Sequence, residues 1–108
     1  MSFEILRTDE FSKHLKALAK KYHSLKADVT LLLDLLSANP TAGTSLGKNC
    51  YKIRMKISSK NAGKSGGARV ITYVKVERKR ITLLDIYDKA DKDTLSDKEL
   101  SSLIKKAE

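Results

Sequence analysis

The hydrophobic pattern of the chain opens with two helical stripes. They follow a short alternating stretch at residues 3–7, which predicts a strand. Thr8 and Ser24 stand where the two helices would begin, and Asn39-Pro40 would end the second, because a residue before proline avoids helical geometry. The first stripe comprises Phe11, Leu15, Leu18, Ala19 and Tyr22, and the second comprises Leu25, Val29, Leu32, Leu33 and Leu36. The pattern predicts a helical hairpin with one apolar face.

Beyond a Gly/Thr/Ser turn region the pattern changes to that of strands. Residues 51–57 alternate apolar and cationic side chains, residues 68–76 are rich in β-branched side chains, and residues 81–87 form a third apolar stretch. These three strands would be joined by the glycine-rich segment 58–67 and by a tight turn. A capping box, Ser96 to Glu99, precedes apolar residues at helical spacing. It predicts a short terminal helix.

The predicted element order, β-α-α-β-β-β-α, belongs to the α+β class. We expect residues 1–108 to form one domain, a small antiparallel sheet with a mixed edge and the helical hairpin on one face, since strands joined by short connections are antiparallel. The covered face would take Ile53, Met55, Val70, Val74 and Ile86. The opposite face would present to solvent Lys52, Arg54, Lys56, Arg69, Tyr73 and Tyr87.

The positive charge is concentrated in the middle of the chain. The formal net charge is +9, and residues 41–80 carry eleven basic side chains and one acidic, whereas the flanking segments are nearly balanced. Because like charges repel one another, such a concentration favours a polyanionic partner. A lysine-rich surface that only serves solubility is the alternative.

The sequence lacks the residues that a disulfide, a metal site or a nucleotide-binding loop would require. The single cysteine, Cys50, cannot form an internal disulfide, and the sequence has no metal-ligand spacing and no phosphate-loop motif. His14 and His23 lie in the first helical stretch and are interpreted as surface residues. We therefore expect no metal and no cofactor. The chain has neither a signal-peptide pattern nor an apolar run near the roughly 20 residues that span a bilayer, so we expect a cytoplasmic protein without a membrane partner.

The candidate functional side chains that remain on the exposed face are arginines, lysines and tyrosines. The cations would bind phosphates, and Tyr73 or Tyr87 could stack on a base or donate a hydrogen bond. RNA supplies its own nucleophile, the 2′-hydroxyl. A protein then has to remove a proton, stabilise the added negative charge and support the leaving 5′-oxygen, for which arginine forks and a lysine among other cations are suited. The residues are compatible with a metal-independent ribonuclease.

Two segments resemble a known family. CYKIRMK at residues 50–56 and GGARVITY at residues 66–73 are similar to the second and third strands of RelE/HigB-like toxins of type II toxin–antitoxin systems. Residues 63–71, 83–89 and 95–100 resemble the HigB-like branch more closely. The similarity covers the whole chain in element order, and its specific part is residues 50–100.

The resemblance implies a ribosome-dependent endoribonuclease that cuts mRNA in the decoding site and is neutralised by a cognate antitoxin, which covers the basic face or displaces the terminal helix. It implies that Lys56 is the base, that Arg54 orients the substrate or stabilises charge, and that Arg69 stabilises the pentavalent phosphate. Lys89 would aid the leaving oxygen, and Tyr87 would stack on a base or donate a proton. More general RNA contacts are assigned to Lys52, Lys60, Lys64, Tyr73, Arg78, Lys79 and Arg80.

Other interpretations stay open. A ParE-like toxin has the same fold but inhibits gyrase by contact and cuts nothing, although the full basic set of this chain argues against it. A plain RNA-binding module, or an inactive toxin, would carry the same charge. Tyr73 and Tyr87 could instead be aromatic residues packed under the terminal helix, and Arg69 could be the ion-pair partner of Asp85.

Overall fold

A mixed β-sheet with helices on both faces forms the body of the protein. Within residues 3–60, 63, 66–92 and 94–108, which the computed structural model describes, the chain has five strands and three α-helices. No helix in these ranges is long and apolar enough to cross a membrane. The strands are β1 (Glu4–Arg7), β2 (Thr44–Gly47), β3 (Cys50–Met55), β4 (Ala68–Lys75) and β5 (Arg80–Asp88). The helices are α1 (Asp9–Lys21), α2 (Leu25–Ala38) and α3 (Asp97–Ala107).

The strands lie side by side in the order β1-β5-β4-β3-β2. β1 runs parallel to β5, whereas the pairs β5–β4, β4–β3 and β3–β2 are antiparallel. Short 3₁₀ turns, Ser58–Lys60 and Val76–Arg78, lie in the connections before β4 and β5. This topology confirms the predicted α+β class, with an antiparallel sheet and a parallel strand at one edge.

One strand, β2, was not predicted. The sequence indicates a turn region before β3, but Thr44–Gly47 pairs with β3 as an edge strand. Lys48 and Asn49 connect the two strands with φ angles of 56° and 64°, the positive values of a tight two-residue hairpin turn. β2 left no alternating pattern because it has only four residues, of which Leu46 is the single large apolar one.

The helical hairpin covers one face of the sheet, as predicted. Phe11 of α1 and Leu25 and Leu36 of α2 are fully buried against the sheet. At about 1.5–3 kcal/mol for each fully buried apolar side chain, this layer supplies a large share of the folding free energy. Thr8 caps α1, since its hydroxyl accepts a hydrogen bond of 3.0 Å from the Phe11 N–H. The sheet residues in this core include the predicted Ile53, Met55, Val70, Val74 and Ile86.

The opposite face of the sheet is open to solvent only in part, at Arg54 and Lys56. The prediction that it also presents Arg69 and Tyr87 to solvent is wrong, because both are buried. Leu100 and Leu103 of α3 pack on this face, where they bury a second apolar cluster. The amphipathic pattern predicts α3 and its capping box, but periodicity cannot say which surface a helix will cover. The sheet residues of the cluster are Cys50, Ile71, Leu84 and Tyr87.

Cys50 fits the interpretation as a small apolar residue. It is fully buried at the start of β3, and burial raises the pKa of its thiol to about 11. A thiol with so high a pKa has little thiolate at neutral pH and is a poor nucleophile.

Thr72 in β4 provides a test of the packing. Its side chain is fully buried, and its hydroxyl has no hydrogen-bond partner among the described residues. A buried hydroxyl without a partner costs about 1–3 kcal/mol, and valine has nearly the same shape. We therefore expect Thr72→Val to raise the free energy of unfolding by about 1 kcal/mol in urea titrations. A loss of stability would show that the hydroxyl has a favourable partner.

Candidate functional site

Three candidate side chains form one row across the sheet. Arg54 of β3 is directly opposite Arg69 of β4, and Arg69 is directly opposite Tyr87 of β5. Directly opposite residues project to the same face of a sheet, which here is the face that carries α3. We refer to Arg54, Arg69 and Tyr87 as the cross-strand row.

Two lysines extend this row towards the end of the sheet. Lys56 comes directly after the last residue of β3, and Lys89 comes directly after the last residue of β5. Both side chains are exposed. The backbone N–H of Lys89 donates a hydrogen bond of 3.0 Å to the carbonyl oxygen of Gly67, which fixes the end of β5 beside the start of β4. The structure thus brings all five candidate catalytic residues to one end of the sheet.

The two arginines of the row place like charges on neighbouring strands. Like charges directly opposite one another on neighbouring strands repel, and an anion between them removes the repulsion. Arg54 is exposed, whereas Arg69 is only 2% exposed and donates a hydrogen bond of 3.2 Å to the Ala68 carbonyl. A guanidinium can bind two oxygens of one phosphate, so the pair is suited to a phosphodiester.

Tyr87 is packed under α3, one of the alternatives that the sequence left open. It is 7% exposed and belongs to the cluster of Leu100 and Leu103. The ammonium nitrogen of Lys92 lies 5.1 Å from the centre of its ring, within the range of a cation–π contact. The ring of Tyr87 is therefore already covered by Lys92 and by the leucines of α3, and an RNA base would have to replace these contacts in order to stack on it.

Tyr73 lies beside the same cluster, at the C-terminal end of α3. Its ring packs against the cluster, and its hydroxyl donates a hydrogen bond of 3.4 Å to Glu108. Burial and the nearby Glu108 carboxylate raise the pKa of its phenol. Lys75 binds the same carboxylate at 3.1 Å. Tyr73 thus helps to hold the end of α3 on the sheet. This agrees with the alternative interpretation, in which Tyr73 packs under the terminal helix.

The predicted general RNA contacts divide between the two ends of the sheet. Lys52 lies two residues before Arg54 on β3 and so on the same face. In contrast, the turn that carries Arg78, Lys79 and Arg80 lies at the far end of β4, about 20 Å from Arg69 at 3.3 Å per residue. Arg80 forms an ion pair of 3.3 Å with Glu4. These three cations cannot share one phosphate with the cross-strand row. Lys64 lies outside the described residues.

Lys60 has a structural partner that the sequence did not reveal. Its ammonium group donates a hydrogen bond of 2.7 Å to Asp88, whose carboxylate also accepts bonds of 2.7 Å from the Tyr22 hydroxyl and 2.9 Å from the Ala90 N–H. Burial raises the pKa of Asp88, but these bonds outweigh it and lower that pKa to about 2. The bond to Asp88 raises the pKa of Lys60. A role of Lys60 in RNA binding stays a prediction.

Asp28 anchors the chain on the other side of the Ser58–Lys60 turn. Its carboxylate accepts hydrogen bonds from the backbone and hydroxyl of Ser58, at 2.9 and 2.6 Å, and from the Ser24 hydroxyl at 2.8 Å. Burial raises the pKa of Asp28, but these bonds, helped by the charge of Lys56, make the net shift a lowering. One sequence signal was available, because an acid at position 28 interrupts the apolar stripe of α2. Asp28 and Asp88 together hold the backbone that follows Lys56.

His14 is another residue whose contact the sequence did not predict. Its Nδ1 lies 2.5 Å from the carboxylate of Asp85, and its Nε2 lies 3.6 Å from Glu10. Asp85 also accepts a hydrogen bond of 2.9 Å from the Ile86 N–H. His14 is half-exposed and links α1 to β5, so its interpretation as a plain surface residue is incomplete. Among the described residues no group of His, Cys, Asp and Glu has the arrangement of a metal site.

Comparison with solved structures identifies the fold. The chain is similar to a double-arginine mutant of the E. coli toxin RelE in the free state, with a TM-score of 0.65 and 16% identity over 97% of both chains. It is also similar to the isolated E. coli RelE toxin in a P21 crystal form, with a TM-score of 0.49 and 15% identity over 95% of this chain and 97% of the other. No protein-family model matches the chain, and no curated protein matches it significantly. The chain has the fold of the RelE toxin, as the 0.65 match shows.

Proposed function

We propose that the chain is the toxin of a toxin–antitoxin pair and cleaves mRNA on the ribosome. The observation that carries the proposal is the pairing of Arg54 with Arg69 across two strands, with Lys56 and Lys89 at the same end of a RelE-like sheet. Four cations from three strands converge there. Such an arrangement has the charge that a phosphodiester in its transition state requires.

The proposed reaction is attack by the 2′-hydroxyl of RNA on the adjacent phosphorus. Lys56 takes the hydroxyl proton, a new P–O2′ bond forms, and the bond to the 5′-oxygen breaks. Arg54 and Arg69 bind the non-bridging oxygens, whose negative charge grows in the pentavalent transition state. Lys89 supports the departing 5′-oxygen and supplies its proton. The products are a 2′,3′-cyclic phosphate and a 5′-hydroxyl, and no metal or cofactor takes part.

Movement of α3 is part of the proposal, because Tyr87 of the cross-strand row packs under this helix. Arg69 and Tyr87 are both buried. The polar contacts that seat α3 are largely exposed, among them Lys48 to Ser101 at 2.6 Å and Lys75 to Glu108 at 3.1 Å. Exposed contacts of this kind contribute at most about 1 kcal/mol each. A shift of α3 on the ribosome would let RNA reach Arg69 and stack on Tyr87.

The proposed place of action is the ribosome in the cytoplasm. We infer that a single domain, residues 1–108, works in the cytoplasm and contacts ribosomal RNA with its remaining cations. A cognate antitoxin holds it inactive by covering the basic face. The alternative, displacement of α3 by the antitoxin, fits less well, because it would open the cross-strand row instead of closing it.

The test is cleavage of a defined mRNA by the purified protein, with and without ribosomes in a reconstituted translation system. We expect cuts in the mRNA only when it is being translated, because the ribosome must position the substrate. Rapid cleavage of the same RNA without ribosomes would contradict ribosome dependence. End analysis should find the 5′-hydroxyl that 2′-hydroxyl attack leaves.

A binding module that does not cleave is the second candidate, and the burial of Arg69 and Tyr87 favours it. The same assay separates the two, since a binding module retains labelled RNA in a salt-dependent complex but leaves it intact.

A further inference from the structure

A cleft of about 520 Å³ lies on the sheet face that carries α3, at the end of the sheet far from the cross-strand row. Its walls are the first turn of α1 and the last turn of α3. Lys75 of β4 lines the cleft and is six residues from Arg69, which is about 20 Å at 3.3 Å per residue. The cleft is therefore separate from the proposed cleavage site.

The floor of the cleft is formed by three residues from three neighbouring strands. Leu6 of β1 is directly opposite Thr82 of β5, and Thr82 is directly opposite Tyr73 of β4. All three line the cleft, and Leu6 is 40% exposed, which is high for a leucine within a strand. The floor offers an apolar side chain, a hydroxyl and an aromatic ring, on which a flat ring of a ligand can pack.

Four cations surround this floor. Arg80 and Lys75 are directly opposite each other on β5 and β4, and Arg7 and Lys106 line the two walls. An arginine fork beside an ammonium group can bind several oxygens of one phosphate, because the two groups together present more donors than a single side chain.

Three of these cations contact carboxylates of the same chain, but the contacts are weak. All six side chains of these pairs are between 30% and 60% exposed, and exposed ion pairs contribute at most about 1 kcal/mol each. A phosphate with two negative charges can therefore replace the carboxylates. The pairs are Arg80 with Glu4 at 3.3 Å, Lys75 with Glu108 at 3.1 Å and Lys106 with Glu10 at 3.8 Å.

We propose that this cleft binds a nucleoside phosphate, with its phosphates at Arg80 and Lys75 and its base on the floor beside Leu6. The volume supports a nucleoside rather than a bare phosphate, since sites for organic ligands have roughly 300–1,000 Å³. Asp9 and Glu10 of the α1 wall would accept hydrogen bonds from amino groups or hydroxyls of the nucleoside. The inference goes beyond the proposed function, because it concerns a second site and requires no RNA cleavage.

The probes are the four nucleoside 5′-diphosphates, inorganic pyrophosphate and adenosine, each titrated into the full-length protein. We expect at least one diphosphate to bind about tenfold more tightly than pyrophosphate or adenosine, because only a nucleotide contacts both the cations and the floor. It should also raise the melting temperature of the protein. In NMR titrations it should shift the amides of residues 6–10, 80–82 and 106–107 and leave those of residues 54–56 unchanged.

A competition experiment distinguishes the two sources of such a ligand, a free nucleotide and the end of an RNA strand. The competitor is a short oligoribonucleotide with a 5′-phosphate. Displacement of the bound diphosphate would identify an RNA end as the ligand, and a lack of displacement would identify a free nucleotide.

Matched variants locate the binding. Arg80→Gln should weaken both the diphosphate and pyrophosphate at least about tenfold, because it removes the guanidinium that binds the phosphates. Leu6→Ser should weaken the diphosphate alone, by a few-fold, because it removes an apolar contact of the base. Arg78→Gln is the control, since Arg78 is exposed and close in sequence but does not line the cleft. It should change the affinities less than about twofold, and thermal unfolding checks that each variant is folded.

Three results would overturn the proposal. One is the absence of binding by all four diphosphates. Another is pyrophosphate that binds as tightly as the best nucleotide, which would make the cleft a site for simple anions. The third is equal losses in Arg80→Gln and Arg78→Gln, or shifts centred on residues 54–56, which would place the nucleotide outside the cleft. None of these results depends on whether the protein cleaves RNA.

Discussion

Replacing Arg54 with glutamine should lower mRNA cleavage at least about a hundredfold while leaving the protein as stable as before, or slightly more stable. The loss follows because a charged hydrogen-bond donor to the transition-state phosphate is removed, an effect of roughly 10²–10³ in other enzymes. The unchanged stability follows because Arg54 is exposed and faces the like charge of Arg69 across the β3–β4 ladder. Cleavage rates in the translation assay and urea titrations measure the two quantities.

The matched control for this variant is Arg78→Gln. Arg78 is also exposed, but it lies in the turn at the far end of β4, away from the cross-strand row. It should change cleavage no more than a few-fold, through weaker general binding of RNA. Equal losses in the two variants would mean that the cations act only as a diffuse charge, and the proposed site would be wrong.

Replacing Asp88 with asparagine should lower the free energy of unfolding at neutral pH by about 3 kcal/mol. Asp88 is 1% exposed, and the substitution leaves the partly buried ammonium of Lys60 without the carboxylate that it contacts at 2.7 Å. The pKa of Asp88 is about 2 in the folded protein and 3.8 ordinarily. Its contribution is therefore complete above about pH 4 and is lost as the pH falls towards 2. This difference corresponds to about 2 kcal/mol.

The measurement is urea unfolding at several pH values between 2 and 7, compared with Asp34→Asn. Asp34 is an exposed carboxylate of α2, so its replacement should change stability by less than about 0.5 kcal/mol. The stability gap between wild type and Asp88→Asn should narrow as the pH falls below about 4. A gap that stays constant over the whole range would show that the Asp88 charge does not hold the Ser58–Lys60 turn.

Local pattern was enough to predict the placement of the candidate site. Strict alternation in β3 assigns Arg54 and Lys56 to one face, and short connections make the strands antiparallel, which brings Arg69 and Tyr87 to the same end. The resemblance to RelE/HigB-like toxins indicated the same residues, and the fold agrees with it.

Long-range contacts could not be predicted in this way. The pattern of α3 shows an apolar stripe but not the surface on which the stripe packs, so the packing of Tyr87 under this helix was only one of two alternatives. The burial of Arg69 was not predicted. The hydrogen bond from Lys60 to Asp88 joins residues 28 positions apart, and nothing in the sequence around either residue indicates which residue it contacts. In both cases tertiary packing decides the outcome, and a sequence pattern records only local periodicity.

Cleavage of translated mRNA by the residues around the cross-strand row is tested most directly by mapping RNA 5′ ends in a bacterial host after induced expression. We predict growth arrest with new 5′ ends inside translated regions, and the loss of both in Arg69→Ala that is folded by circular dichroism. Arrest without new ends would contradict cleavage and favour a toxin that acts by protein contact. Ends that persist in folded Arg69→Ala would place the catalytic site elsewhere.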